Sequence, residues 1–293
     1  MRVFVTGGTG AIGRHAIPAL VGAGHTVTAL ARTPAKAAAL AEQGAAAVTV
    51  SLYDRGALAE AFEGYDAVVN LATAIPPMWR FMSSKAWAEN RRVRSEGSAV
   101  VVYAALEAGV GRLIQESVAM VYHDCGGSWI DESAPVDDYP LAQSNFAAEA
   151  NTHLFTAAGG IGVVLRFGWF YGPGATHSEQ LLAMARRHVG MVLGPAEGYV
   201  SSVHVADAGE AVAASLHAPA GTYNVVDDEP MTKRDYAEAV ARAAGSDLWV
   251  RGPGRGALLF GDALTSLTRS LRVSNGRFKE ATGWAPRHPR AFA

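Results

Sequence analysis

A chain of 293 residues, 49% of them apolar and 18% charged, has room for one large α/β domain or two small ones and enough apolar mass for a sizeable core, which excludes disorder. A formal net charge of −2 lacks the basic excess that nucleic acid or an anionic membrane surface attracts, and no stretch reaches the roughly 18 apolar residues that a bilayer span needs. One cysteine, Cys125, excludes an intramolecular disulfide, and the apolar run at the start is too short for a signal peptide, so a cytoplasmic location is expected.

In chain order, Val3-Phe4-Val5, Val27-Thr28-Ala29-Leu30, Val48-Thr49-Val50, Ala67-Val68-Val69 and Leu113-Ile114 are short β-rich runs bounded by polar residues or glycine. Alanine-rich stretches at 34–42, 55–62 and 86–109 fall between them and read as helices, with Asp54 placed to cap the second. A helix at 142–157 and a strand at Val163-Val164-Leu165-Arg166 continue the alternation. This repetition predicts an α/β fold, a Rossmann-type doubly wound parallel sheet with helices on both faces. Beyond about residue 170, turns at Tyr171-Gly172-Pro173-Gly174, Gly194-Pro195 and Pro219-Ala220-Gly221 separate short strands near 200–204 and 222–226 from helices near 205–217 and 232–243. With no linker and no internal repeat, residues 1–293 read as a single domain. Residues 1–170 form mainly the sheet core, and 171–293 mainly a small C-terminal substrate-binding lobe with one or more segments returning to the core.

The first strand runs into Gly7-Gly8-Thr9-Gly10-Ala11-Ile12-Gly13 and then into a helix, the order that a dinucleotide-binding turn requires. Gly7 permits the tight turn, Gly10 lets backbone approach a pyrophosphate, and Gly13 allows close helix–sheet packing. Backbone around Thr9, Ala11 and Ile12 then meets the phosphates at the positive end of the helix dipole. At the end of the second strand, Ala31 stands where an acid would take the ribose hydroxyls of NAD, and Arg32 follows it. A guanidinium on a 2′-phosphate contributes about 1.5–3 kcal/mol, roughly a 10- to 150-fold preference, and Arg14 adds a second charge, so the expected cofactor is NADP(H). Ser51-Leu52 is expected to border the adenine, and Leu71, Ala72 and Thr73 to lie beside the cofactor cleft.

Taken together, Thr6 to Gly13, Asn70-Leu71-Ala72, Leu165 to Gly174, Val203-His204-Val205-Ala206-Asp207-Ala208 and Gly221-Thr222-Tyr223-Asn224-Val225 resemble the atypical or extended short-chain dehydrogenase/reductase superfamily, the NAD(P)-dependent epimerase/dehydratase-like group. The resemblance implies a seven-stranded sheet, nicotinamide contacts from backbone around Phe167 and Gly168, and dimerisation through the helices at 86–109 and 142–157. It also implies a catalytic Ser or Thr with a Tyr-x-x-x-Lys pair. Here the match of Ser144 and Ala148-Glu149 puts Leu141 at the Tyr position and Asn145 at the Lys position, and the serine position falls on Val118. The usual triad is missing.

Four side chains remain as catalytic candidates: Ser117, Tyr122, His123 and Tyr139. Ser117 is one residue from the serine position. Tyr122 and His123 follow the fifth strand at its cleft end, and Tyr139 is two residues from the vacant Tyr position. No metal is expected, because the nine histidines nowhere form a ligand cluster in sequence, and His204 is given a structural role. The segment 74–87, with Trp79, Phe81 and Trp87, reads as a lid or wall over an apolar, aromatic or polycyclic small-molecule substrate. Three functions stay open: an NADP(H)-dependent oxidoreductase acting on a carbonyl or activated alkene with a non-standard proton donor, a non-redox isomerase, dehydratase or cyclase, and an NADP(H) sensor. The first is preferred.

Overall fold

A computed structural model describes residues 1–293. Seven parallel strands form the central sheet: β1 (Arg2–Thr6), β2 (Thr26–Leu30), β3 (Ala46–Val48), β4 (Ala67–Asn70), β5 (Arg112–Val118), β6 (Ile161–Phe167) and β7 (Gly221–Val225). Their spatial order is β7-β6-β5-β4-β1-β2-β3, with the chain reversing direction across the sheet at β1. In open sheets of this kind that reversal opens a crevice at the carboxyl ends of the strands.

Alternation along each strand feeds two apolar layers. Val3 and Val5 of β1 join a core that includes Ile17 and Leu20 of helix Gly13–Gly22 and Ala208 and Val212 of helix Val205–Ser215. Phe4 points the other way, into a layer with Leu58, Phe62, Val101, Ala105 and Phe155 from helices Arg55–Phe62, Ser98–Glu107 and Gln143–Ala157. Gly209 brings two helices into contact, since a Cβ there would lie 2.5 Å from the carbonyl carbon of His15.

Several boundaries differ from the sequence expectation. The third strand occupies Ala46–Val48 rather than 48–50, because it is an edge strand whose pairing with β2 ends at Leu30↔Val48. The carbonyl of Val48 still accepts from Ala31, and the chain then turns toward Asp54, which caps its helix by accepting from the Ala57 N–H at 3.1 Å. The expected strand at 200–204 is split into Tyr199–Val200 and Ser202–His204, because Ser201 between them bonds instead to the segment 271–273: its Oγ donates to Leu271 and accepts from the Val273 N–H. Tyr171 ends a short strand, Trp169–Tyr171, paired with Ser202–His204, so the turn begins one residue later than expected. The segment 221–225, though it follows the small lobe in sequence, pairs with β6 and completes the sheet. The long helix expected at 86–109 is interrupted: Ala88–Arg92 is α-helical, Val93–Gly97 forms a π turn, and Ser98–Glu107 resumes the α-helix.

Candidate active site

The glycine loop is built by exclusion of side chains. Gly7 sits at φ +73°, and a Cβ there would fall 2.4 Å from the Leu71 carbonyl oxygen. A Cβ on Gly13 would fall 2.4 Å from the Gly7 oxygen, whereas one on Gly10 would meet nothing nearer than 3.2 Å. Gly10 is therefore the less confined of the three, with one close neighbour, while Gly7 and Gly13 clamp the turn. No side chain caps helix Gly13–Gly22; the Arg14 and His15 N–H groups bond to the Gly10 and Ile12 carbonyls, and the positive end of the helix dipole faces the loop, where it favours an anion. Gly10, Ala11, Ile12, Leu71, Thr73 and Glu116 line one cleft above the sheet. Arg32 is exposed at the end of β2 and Arg14 is exposed at the start of the helix, with its Nε 3.4 Å from the Gly10 oxygen. Thr9 and Ala72 are half-buried beside this loop, and the Ala72 N–H donates to Asn70. Leu52 packs further out, close to Gly97. This donor set fits a dinucleotide: a backbone cradle, an uncapped helix start and two exposed cations at its rim.

Beneath the cradle a polar seam crosses three strands. Thr6 Oγ1 donates to Asn70 Oδ1 at 2.5 Å, Asn70 Nδ2 donates to Gln115 Oε1 at 2.8 Å, and Gln115 Nε2 donates to the Glu116 carbonyl at 2.8 Å. Each partner satisfies a buried group that would otherwise cost about 1–3 kcal/mol.

Two adjoining cavities open beyond the cleft, sharing Met120, Trp169, Ser266 and Leu267. The one nearer the sheet is lined by Val118, Leu141 and Asn145, the three positions where the superfamily resemblance calls for Ser, Tyr and Lys, together with Gly168. Phe167 itself points into the core, leaving its backbone at the cavity edge. Gly168 admits no side chain, since a Cβ would lie 2.6 Å from the Ser201 oxygen. Ile75, Phe81 and Trp87 from the expected wall segment line this cavity, and Met78 lines the second. Trp87 Nε1 donates to the Phe81 carbonyl at 2.8 Å, and the Phe81 and Trp87 rings lie 5.1 Å apart, which holds the segment closed on itself.

The four candidate acids scatter. Ser117 is fully buried, lines neither cavity, and donates to Glu149 Oε1 at 2.6 Å; Glu149 is held in turn by two bonds from Arg166. Tyr122 is also fully buried, with its hydroxyl donating to Asn224 at 2.8 Å, and burial raises its pKa above the usual tyrosine value. His123 stands in an exposed loop 3.8 Å from Asp137. Tyr139 alone of the four lines a cavity, but its hydroxyl donates to the Met120 carbonyl at 3.0 Å, and burial pushes its pKa up to about 12. Strand alternation accounts for Ser117: Val118 takes the cavity side, so its neighbour must face the other way.

Two groupings escape the sequence. Arg94 and Glu116 form a buried ion pair at 2.7 Å, with side chains 2% and 1% exposed. His204, Asp207 and His288 bring their ligand atoms within 4.8 Å, correcting the expectation of no histidine cluster, because the chain's end folds back on helix Val205–Ser215. All three already make fold contacts: His204 caps that helix, and Asp207 Oδ2 accepts from the backbone N–H of His288 and lies 3.0 Å from its ring nitrogen.

Residues 3–226 match the NAD dependent epimerase/dehydratase family. The chain belongs to this family. Among its relatives, a 3-diazoavenalumate denitrifying reductase from a Streptomyces species is 34% identical over 99% of this chain and 97% of its own length. A 4-hydroxy-2-methyl-3-oxo-4-farnesyl-3,4-dihydroquinoline-1-oxide ketoreductase from Stigmatella aurantiaca is 29% identical over 84% of this chain and 74% of its own. A UDP-glucose 4-epimerase from Thermus thermophilus, solved with NAD, superposes with a TM-score of 0.79 at 26% identity over 98% of this chain and 94% of that one. A human epimerase family protein solved with NADPH gives 0.81 at 23% identity over 100% and 97%, a likeness of fold. Members of the epimerase/dehydratase family work with NAD(P), and reductases among the relatives support an oxidoreductase. No helix is long and apolar enough to cross a membrane.

Proposed function

We propose that this chain is an NADP(H)-dependent reductase of a small apolar, aromatic-type molecule, acting on a strongly electrophilic group and using no Tyr–Lys proton donor. The observation that carries the reading is the trio Val118, Leu141 and Asn145 on the cavity wall beside Gly168. Bound in the glycine-loop cleft, the reduced dinucleotide supplies a hydride. Gly7, Gly10 and Gly13 hold its pyrophosphate, Thr9, Ala11 and Ile12 offer backbone around it, and Arg32 with Arg14 favours the 2′-phosphate. Leu52 flanks the adenine end; Leu71, Ala72, Thr73 and the backbone of Phe167 and Gly168 border the nicotinamide end.

An alkoxide formed from an ordinary ketone would meet valine and leucine where the resemblance calls for Ser and Tyr. Tyr139 on the same wall already donates to the Met120 carbonyl, no lysine lines this cavity to activate Ser266, and a bare charge in apolar surroundings is costly. Losing such an acid costs roughly 10²–10⁴-fold in rate. An acceptor that carries its own charge balance escapes this penalty. An activated alkene becomes an enolate, whose charge is delocalised and less basic than an alkoxide's, and it takes its proton from solvent once the product leaves the apolar walls. An arenediazonium ion takes a hydride and leaves as arene and dinitrogen, with no proton needed. The relative named for reductive denitrification of a diazo compound supports this electrophile class. Ile75, Phe81, Trp87, Trp169 and Phe170 supply flat apolar walls for such a substrate and exclude water from it.

The test is NADPH consumption coupled one-for-one to product with an arenediazonium salt, an enone and an unactivated ketone. Turnover of the first two well above the ketone is expected. Product formed with no NADPH consumed would overturn the reading and favour isomerase or dehydratase chemistry. We also propose a homodimer through helices Ser98–Glu107 and Gln143–Ala157, which expose Tyr103 and Leu154; a monomer by sedimentation at micromolar concentration would remove it.

A further inference from the structure

We infer that Arg94 is a specificity-determining anchor for a carboxylate, so that the substrate is an apolar or aromatic acid. The inference deepens the reductase reading and rests on it for the identity of the cavity as the substrate site. Arg94 lines the cavity bounded by Val118, Leu141 and Asn145, and it is the one lysine or arginine that does so; no aspartate or glutamate lines it. The cavity's histidine, His177, is held toward its neutral form by burial, and its Nε2 lies 3.2 Å from the Pro76 carbonyl. Arg94 is 2% exposed, yet its pairing is incomplete. Its Nη2 donates to Glu116 Oε1 at 2.7 Å, while Nη1 is buried with no hydrogen-bond partner.

An arginine facing a carboxylate commonly closes a two-pronged bond. Arg166 and Glu149 do so at 2.9 and 2.7 Å, next to Ser117, which donates to the same carboxylate. The Arg94 contact uses one prong: Arg94 Nη1 and Glu116 Oε2 are both buried without a hydrogen-bond partner, and a charged N–H left so at a cavity wall is costly until something accepts from it.

The backbone supplies an independent sign. Arg94 sits in the π turn Val93–Gly97, between two α-helical stretches, and such turns are frequent at functional sites. Glu116 is the positioning residue: it lines the cofactor cleft on the other side and holds the guanidinium in the wall between the two spaces. A carboxylate is the acceptor of choice because it is planar, offers two oxygens and carries the charge that a guanidinium rewards. The apolar walls then take the rest of the molecule.

The probes are cinnamate and methyl cinnamate, which share the aromatic body and differ in charge. Binding is followed by quenching of tryptophan fluorescence with NADP⁺ saturating, Trp87 and Trp169 both lining the cavity. Cinnamate is expected to bind about 10- to 150-fold more tightly than its ester, the range for a hydrogen bond to a charged group. Arg94→Lys should keep part of that ratio and Arg94→Met should bring it to one. Because a lone Glu116 can unfold the single variant, the double variant Arg94→Met/Glu116→Leu is run beside it; replacing a buried pair with apolar residues is commonly tolerated. It should stay folded, bind the ester as the parent does, and show no preference for the acid. Equal binding of acid and ester by the parent, or an acid preference that survives in the double variant, overturns the anchor. NADP⁺ binding, titrated separately, tells this failure from failure of the reductase reading: intact NADP⁺ binding with no acid preference removes the anchor alone.

Discussion

The glycine-loop cleft and the aromatic-walled cavity lie side by side but are made of different material. The cleft is made largely of backbone: Gly7 and Gly13 have no space for a Cβ, and no side chain caps the helix that follows them. The cavity is made of side chains, and those at Val118, Leu141 and Asn145 no longer form the acid–base set that the superfamily resemblance implies. Backbone geometry tolerates few substitutions, whereas a wall of side chains can be replaced one residue at a time under an unchanged fold. Chemistry can therefore drift in the second region while cofactor binding persists in the first.

The sharpest way to break this contrast is Gly13→Val. Its Cβ would enter the 2.4 Å gap to the Gly7 oxygen, with only backbone to yield. Calorimetric titration should show NADPH affinity falling at least about 100-fold, the loss expected when roughly 3 kcal/mol of binding is removed. Unchanged affinity would mean that the turn is not what holds the dinucleotide. The second test rebuilds the wall. Val118→Ser/Leu141→Tyr/Asn145→Lys should raise NADPH-dependent reduction of an unactivated ketone about 10²-fold, the low end for restoring a general acid. No gain in ketone rate would show that the cavity has diverged beyond those three positions. A smaller effect is expected at the rim, where Arg32→Ala should weaken NADPH about 10-fold and leave NADH unchanged. Equal losses for both nucleotides would remove the 2′-phosphate role.

One prediction lies outside both regions and concerns stability rather than binding. Burial pushes Asp227 up to about 8, and Ser202 donates to its Oδ2 at 2.8 Å, a bond that opposes the rise. Below pH ~4 this carboxyl is protonated in both folded and unfolded chains. Above that, the unfolded chain ionises first while the fold keeps the proton, so stability should decline as pH climbs from about 4 to about 8. Urea unfolding at several pH values should show the slope in the parent and a flatter profile in Asp227→Asn. A parent whose stability rises over that range would contradict it.

What could be read from the sequence divides along the same line. The glycine loop and the cap at Asp54 are local patterns, each complete within a few residues, and β1, β2, β4, β5 and β6 announce themselves by short apolar runs. The vacant triad was legible because Ser144 and Glu149 fix a register around it. The pairing of Arg94 with Glu116 was not, since 22 residues separate them and they lie on different elements, a π turn and a strand. Ser117 looked promising for its nearness in sequence, but one step along a strand reverses the face. His204, Asp207 and His288 meet only because the last residues of the described chain return across the fold.

That π turn also bears on how such a cavity could change its taste. A π turn holds one more residue than the α-helical turn it replaces, and each residue of an α-helix rotates the next by about 100°. Loss of a single residue between Val93 and Gly97 would restore a regular helix and swing position 94 off its carboxylate partner. A lineage could thereby exchange a charged recognition point for a neutral one through one three-nucleotide deletion, leaving the sheet, the glycine loop and the aromatic wall untouched.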